Sequence, residues 1–329
     1  HIVADEQSFR LIFDGIMYRY NGENFVKKES DSFFDYIDYK QKEKMEVRQS
    51  WEDLKTSETI TQFQIPDDVQ NCNTQVHKQL TLRDSDLDAL RKLCNSKNVS
   101  LFSGFVAIFA HTLNAISGRD KIWISIPMSD RLGGRFDNTI GLFIKKVIVG
   151  ISIAKRQTFE KTLAIAHESI LEGTTQLNSS FSEFVRDNGL SRDLNEVYSD
   201  MVINFMDSKE KSQYGDFSYI KDKEDSNATG IQLMIDFTGS ENSYCFYYDA
   251  ERFTESQISY ITAKWQSMLN ELVNNPTALR NEEDLSKNSA IKFGDLIRSS
   301  DRSIIEQFLE QAEMSPQTAA VYDSRDSYS

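Results

Sequence analysis

Apolar residues recur at helical spacing near the start of the chain. Phe9, Ile12, Phe13, Ile16, Met17 and Tyr20 predict an amphipathic helix that begins after Ser8 and ends near Asn21-Gly22. A polar stretch runs to about Asp31. An aromatic and acidic run then covers 33–39 and leads into a Lys/Glu-rich helix up to Trp51. Residues 65–68 (Ile-Pro-Asp-Asp) form a loop, and 76–82 a short strand. Ser85 is a suitable N-cap for a helix carrying Leu87, Leu90 and Leu93. A second, strongly apolar helix covers about 101–116 and stops at Ser117-Gly118; His111 inside it is a structural, partly buried histidine.

Residues 121–127 are almost continuously apolar and predict a buried strand. A polar loop over 128–138 holds Arg131 and Gly133-Gly134, and a further strand covers 142–153. Helices are expected over 158–176 and 181–187, and strands over 201–206, 217–220, 231–237 and 244–248. Thr254-x-x-Gln257 is a capping box. It opens a helix with Ile258, Ile261, Trp265, Met268, Leu269 and Leu272 on one face, ended by Asn274-Asn275-Pro276. The polar stretch 276–303 has few core candidates and is a linker. Ser303-x-x-Glu306 starts another helix through Glu313, followed by Pro316 and a strand over 319–322; this tail is too small to hold a core of its own.

The 329 residues suffice for two domains or lobes, and 39% hydrophobic with 11% aromatic content supports a packed core. A net charge of −14 argues against nucleic acid and anionic membrane as partners. No apolar run approaches the ~20 residues of a membrane span, and no signal peptide is visible. Three scattered cysteines (Cys72, Cys94, Cys245) fit a reducing, cytoplasmic setting. Four dispersed histidines offer no metal spacing, and neither Gly-rich nucleotide motif is present. No metal or soluble cofactor is expected. The chemistry-bearing residues lie at the start: His1 and Asp5 flank an apolar run, as though a strand end delivered both to the top of a helix, where acid–base chemistry is well placed. Such a pair is common by chance, so its context decides.

That context resembles the condensation domain of nonribosomal peptide synthetases. His1-Ile-Val-Ala-Asp5-Glu6 is similar to the family's HHxxxDG motif from its second His onward. Phe33-x-Asp35-Tyr36-Ile37-x-Tyr39 is similar to YxDYAxW, and Pro127-Met-Ser-Asp-Arg131 to the proline-to-arginine segment that follows. Ile140-Gly141-Leu142-Phe143-Ile144 matches the start of IGxFVNT. Arg192-Asp193-Leu194, Val202-Ile203-Asn204-Phe205 and Tyr247 to Thr254 resemble later elements in the right order, over about residues 1–275. The tail from Ile304 looks like the edge of an adenylation domain. The departures are Glu6 for the motif glycine, Lys145-Lys146 for Asn-Thr, Ser50-Trp51 for Tyr-Trp, and Ser180-Phe181-Ser182 for Pro-Phe-Glu.

The resemblance implies a mixed α/β, chloramphenicol-acetyltransferase-like fold of two lobes (a pseudo-dimer). Residues 1–75 are then the remainder of an incomplete N-terminal lobe and 76–275 the C-terminal lobe. Residues 276–303 are the linker and 304–329 the adenylation edge. A cut at the second motif His removes most of one lobe, so further protein upstream is expected. The implied reaction joins a donor acyl- or peptidyl-carrier thioester to an aminoacyl-carrier acceptor, both held on 4′-phosphopantetheine. Upstream and downstream carrier domains and the adenylation domain are the implied partners. His1 is the implied catalytic group, as base or as orienter of the amine, on a tunnel between the lobes. Asp5 and Arg131 form the implied structural ion pair. Glu6, Ser8 and Asn204 are tunnel candidates: Ser8 either faces the site or, as the better reading, caps the helix, and Asn204 either bonds substrate or is a satisfied edge residue. Lys145 and Lys146 either contact a phosphopantetheine phosphate or lie on a solvated face. His1 speaks against heterocyclisation relatives, and the adenylation edge against epimerisation relatives and a free-standing acyltransferase. Glu6 leaves one alternative, a degraded domain kept as a docking platform for carrier or tailoring proteins.

Overall fold

Local capping decides where the first two helices begin. The computed structural model describes residues 3–22, 31–42, 78–131, 133–178, 201–206, 213–214, 217–218, 230–238, 241–278, 321–322 and 327–328. Helix α1 is Glu6–Tyr20, three residues longer at its start than the apolar spacing predicts. The reason is Asp5, whose carboxylate accepts the Ser8 N–H at 2.9 Å as the N-cap. Ser8 is therefore not the cap. Nor do residues 3–5 form a strand end; they lie in irregular backbone. Helix α2 is Phe33–Lys42, so the aromatic run is itself helical rather than a lead-in. Ser32 and Asp35 cap it reciprocally: Asp35 Oδ2 accepts the Ser32 N–H at 2.7 Å and Ser32 Oγ accepts the Asp35 N–H at 3.2 Å. The rest of the expected helix, to Trp51, lies outside the described residues.

Next come β1 (Lys78–Thr81), α3 (Asp84–Ser96), α4 (Leu101–Ser117), β2 (Lys121–Ser129), β3 (Ile144–Ser152) and α5 (Phe159–Thr174). Helix α3 starts one residue before the expected cap; its N-cap is Arg83, which makes no side-chain capping bond. Ser100 caps α4, and Gly118 closes it at φ +68°, donating to Asn114 O. His111 is wholly buried in α4 beside Thr162, 3.0 Å from Nε2 to Oγ1, a structural histidine as expected. The remaining strands of this unit are β4 (Met201–Met206), β5 (Gln213–Tyr214), β6 (Phe217–Ser218), β7 (Ile231–Asp236) and β8 (Ser243–Tyr248), followed by helix α6 (Glu255–Asn274). Both halves of the Thr254–Gln257 capping box form. The expected helix at 181–187 lies outside the described residues.

Six strands make one mixed sheet in the order β1-β8-β7-β4-β2-β3. β4 lies at its centre, parallel to β2 on one side and to β7 on the other; the other pairings are antiparallel. Central position explains why the β4, β7 and β2 sequences are mostly apolar. Helices α4, α5 and α6 pack on β2, β3 and β8 respectively. Trp265 of α6 lies against Tyr244 and Phe246 of β8, with ring centroids 4.4 and 6.4 Å apart. The chain divides into two compact units, His1–Asn281 and Glu282–Ser329. Of the second, an antiparallel pair is described, β9 (Val321–Tyr322) with β10 (Ser327–Tyr328). The expected helix from Ser303 and the polar linker beyond residue 278 lie outside the described residues.

Candidate active site

The turn that opens α1 is bolted to the loop between β2 and β3. Arg131, from that loop, is 4% exposed and donates through Nη2 to Asp5 Oδ1 at 2.7 Å and to Ser8 Oγ at 3.0 Å. Through Nη1 it donates to the Phe136 and Thr139 carbonyls at 2.5 and 2.9 Å. The guanidinium carbon stands 4.2 Å from the centroid of the Phe143 ring. The Ser8 hydroxyl lies 2.7 Å from both Asp5 Oδ1 and Gly141 O and shares one proton between them; it accepts the Gly141 N–H at 3.0 Å. Asp5 Oδ2 accepts the Phe143 N–H at 3.2 Å, and the Asp5 N–H reaches Gly141 O at 3.3 Å. A dry guanidinium with this many partners is a rigid strut, not a solvated loop arginine. Burial by itself pushes the Asp5 carboxyl up. Hydrogen bonds from the Ser8 hydroxyl and amide and from Arg131, with the guanidinium charge, outweigh that and hold it below its ordinary range.

An aromatic plug carries α2 onto the same loop. Tyr36, Phe136 and Phe143 are buried together, with Phe33 and Ile37 packed against them. Phe33 meets Phe143 edge-on at 5.2 Å and Tyr36 stacks on Phe33 at 5.6 Å. Gly141 sits under the Phe33 ring, which leaves no room for a Cβ. Gly141→Ala is expected to destabilise the protein by about 1–3 kcal/mol, the range of an overpacked core. In urea unfolding the loss should shrink when Phe33→Ala is added; equal losses in both backgrounds would refute the clash.

Beside Arg131 lies a second buried acid. Asp130 is 3% exposed, and its Oδ2 lies 2.8 Å from the Tyr36 hydroxyl, 2.8 Å from Lys40 Nζ and 3.1 Å from Lys145 Nζ. Both lysines also donate to Leu177 O, at 3.3 and 2.6 Å. Burial, then the hydrogen bond to Asp130 and its charge, push the Tyr36 phenol far up, so it stays a donor. Asp130→Asn leaves two lysines facing each other without their counter-charge. It is expected to cost about 2–4 kcal/mol, less than a wholly dry pair because Lys145 is one-third exposed. Lys145→Asn should cost under about 1 kcal/mol by the same urea titration. An Asp130→Asn midpoint equal to wild type would remove this cluster from the stability argument.

Of the site residues expected from sequence, the structure brings Asp5, Ser8 and Arg131 together. His1 lies outside the described residues. Glu6 is the exposed first residue of α1 in ordinary helical geometry; it is not among the residues with positive φ. The glycine of the resembling motif is thus not required here for backbone freedom, and any effect of Glu6 is one of charge and bulk. Asn204 is half-buried on β4, a central strand and not an edge, and its Oδ1 accepts the neighbouring Phe205 N–H at 2.9 Å. Lys145 belongs to the Asp130 cluster, which corrects the solvated-face reading for that residue; Lys146 is exposed. Sequence reasoning missed Asp130, Tyr36 and Lys40. Tyr36 and Asp130 stood in the two quoted segments without a role, and the further trace was Lys40 four residues after Tyr36 on one helix. Among the described residues no cluster of His, Cys, Asp and Glu could hold a metal ion.

The mixed sheet with helices packed on it, and an interlocked loop after β2, is a mixed α/β architecture. The Condensation domain family model matches residues 1–292, and the chain belongs to that family. It is 22% identical over 354 residues to tyrocidine synthase 2 of Brevibacillus parabrevis; the match takes in 99% of this chain and 10% of that protein. The first condensation domain of the CDA synthetase superposes with a TM-score of 0.65 at 14% identity, covering 85% of this chain and 63% of that one. The X-domain in complex with OxyB from teicoplanin biosynthesis superposes with a TM-score of 0.66 at 15% identity, covering 84% and 66%. These likenesses establish the condensation-domain, chloramphenicol-acetyltransferase-like fold. The chain spans a tenth of the length of the curated relative and about two thirds of each solved structure.

Proposed function

We propose that this chain forms amide bonds between a donor acyl- or peptidyl-carrier thioester and an aminoacyl-carrier acceptor in nonribosomal peptide synthesis. The acceptor nitrogen attacks the thioester carbonyl. The new C–N bond forms as the C–S bond breaks, and the donor carrier's phosphopantetheine thiol leaves with a proton. A group that titrates near neutrality must take the ammonium or zwitterion proton, and His1 is that group. The single observation that carries this reading is the Asp5–Ser8–Arg131 lock, which fixes the chain four residues after His1 while keeping Asp5 occupied and away from chemistry. Flanking carrier domains present the substrates, residues 276–303 link to an adenylation edge at 304–329, and the work is cytoplasmic. No metal or soluble cofactor takes part; the only prosthetic group is the carriers' own.

One observation favours a second reading. Glu6 places a carboxylate beside the motif where the resembling family has glycine, and a domain with an altered motif could serve instead as a docking platform for carrier or tailoring proteins. The test loads both cognate carriers, mixes them with the full-length protein, and follows peptidyl-thioester formation by intact-protein mass spectrometry. Dipeptide on the acceptor carrier supports condensation. Carrier binding without dipeptide supports the platform, and recovery of turnover in Glu6→Gly would assign the loss to that residue.

A further inference from the structure

Helix α1 ends on a pair of residues with a latent chemistry of their own. The sequence holds two Asn-Gly pairs, Asn21-Gly22 and Asn188-Gly189, and the second lies outside the described residues. Asn21 and Gly22 are both exposed. In such a pair the glycine nitrogen can attack the asparagine amide, because glycine has no side chain to block the approach. The new bond joins Gly22 N to Asn21 Cγ. The Gly22 N–H proton goes to solvent, the Cγ–Nδ2 bond breaks, and ammonia leaves with a proton taken back from solvent. Water then opens the cyclic imide at either carbonyl and leaves aspartate or isoaspartate at position 21. Water is the sole co-reactant.

The end of α1 holds this pair in the wrong geometry for the reaction. Asn21 is the C-cap, at φ −75° and ψ 3°, and its N–H donates to Met17 O at 3.0 Å. Gly22 follows at φ +71°, the left-handed conformation on which many helices end. At ψ near zero the Gly22 nitrogen eclipses the Asn21 nitrogen and is turned away from the Cβ that carries the amide. Ring closure therefore needs a large rotation of ψ. That rotation pulls the Gly22 N–H off Arg19 O, to which it donates at 3.1 Å. The attacking atom is thus itself the donor of the terminal bond. Met17 anchors the turn; it is buried, as is Ser8 at the other end of the helix. We propose that Asn21 is a deamidation site guarded by the last turn of α1, reacting only in molecules whose terminal turn has opened. The product loosens its own guard. A new carboxylate faces the negative end of the helix dipole, and isoaspartate adds a methylene to the main chain. The inference does not depend on the condensation activity.

The test incubates the full-length protein beside a synthetic peptide of residues 17–27 in the same neutral buffer. Samples are cut with trypsin at mildly acidic pH, and the fragment 20–27 is separated into its asparagine, aspartate and isoaspartate forms by chromatography. Tandem mass spectrometry places each change at Asn21 or Asn24. Asn21 in the protein is expected to react at least about tenfold more slowly than in the peptide, as for a turn open in a tenth of the molecules or fewer. Deuterium exchange of the Gly22 amide reads the same opening, because the same N–H must leave Arg19 O; its protection factor should match the slowing within about threefold. Met17→Ala keeps the Asn-Gly pair and removes the anchor. It should raise the rate toward that of the peptide and lower the Gly22 protection in step. If Met17→Ala does not fold, the wild-type rate and protection decide alone. A native rate equal to that of the peptide overturns the proposal, as does slow deamidation with an unprotected Gly22 amide. A Met17→Ala protein that loses Gly22 protection yet reacts at the wild-type rate overturns it as well.

Discussion

Replacing His1 with alanine is expected to slow peptidyl-thioester formation by about 10²–10⁴-fold, the contribution of a positioned acid–base group. The reaction has one proton problem: the attacking amine must lose a proton near neutral pH, and the departing thiolate must gain one. Histidine is the side chain whose unperturbed pKa lets it do both in one turnover. The three residues after it, Ile2, Val3 and Ala4, carry no titratable group. The signature of the proposed role is a fall in rate with carrier binding largely intact. Single-turnover mixing of loaded carriers with the wild-type and His1→Ala proteins, with binding measured separately by calorimetry, reads both quantities. Equal rates would dismiss His1 as the catalytic group and leave the fold assignment standing.

Asp5→Ala should be the most damaging single substitution in the lock, at about 3–5 kcal/mol. Arg131 is 4% exposed and would remain charged in a dry site with its Asp5 partner gone. The same change removes the N-cap of α1, a feature worth about 1 kcal/mol in itself. Arg131→Met added to Asp5→Ala should recover part of the loss, since it deletes the stranded charge and keeps apolar volume against Phe143. The linkage to pH has a definite sign. The Asp5 carboxyl is held below its ordinary value in the fold, so its stabilisation is present above the unfolded carboxylate pKa of about 4 and disappears as pH falls through the lower folded value. Asp5→Asn carries no such group. Its stability, measured by urea unfolding between about pH 2 and 6, should therefore fall less steeply on acidification than that of wild type. Parallel curves would mean that Asp5 is not the linked carboxylate.

The Asp130 cluster adds a separate tie between α2 and the β2–β3 loop. Lys145, which departs from the resembling Asn, supplies one of its two cations. Two neighbouring charged residues of opposite sign thus do different work. Asp130 gathers cations and a phenol from α2 and β3, while Arg131 next to it reaches back to α1.

What the sequence by itself determined follows from local rules. Strong apolar periodicity and short-range capping placed α4, α5 and α6 within a few residues, and short, mostly apolar runs placed β2, β4, β7 and β8. Motif spacing alone assembled the family resemblance and brought Asp5 and Arg131 forward. Where two local rules competed, the pattern misled. Ser8 reads as a cap because serine favours that role, yet Asp5 three residues earlier takes it and the Ser8 hydroxyl is free to bridge to Gly141. Ser85 gives way to Arg83 in the same manner. Only the tertiary structure decided the rest, because it depends on pairs beyond the reach of local sequence patterns. Asn204 is central because β4 pairs in parallel with β2 and β7, a fact of strand order that no window of sequence contains. Lys145 is paired because folding brings Asp130 and Leu177 to it, whereas its own neighbours on the strand predict solvent. Trp265 and Tyr244 read as ordinary core residues; that they bury two polar atoms unpartnered among the described residues emerges only when α6 is laid on β8.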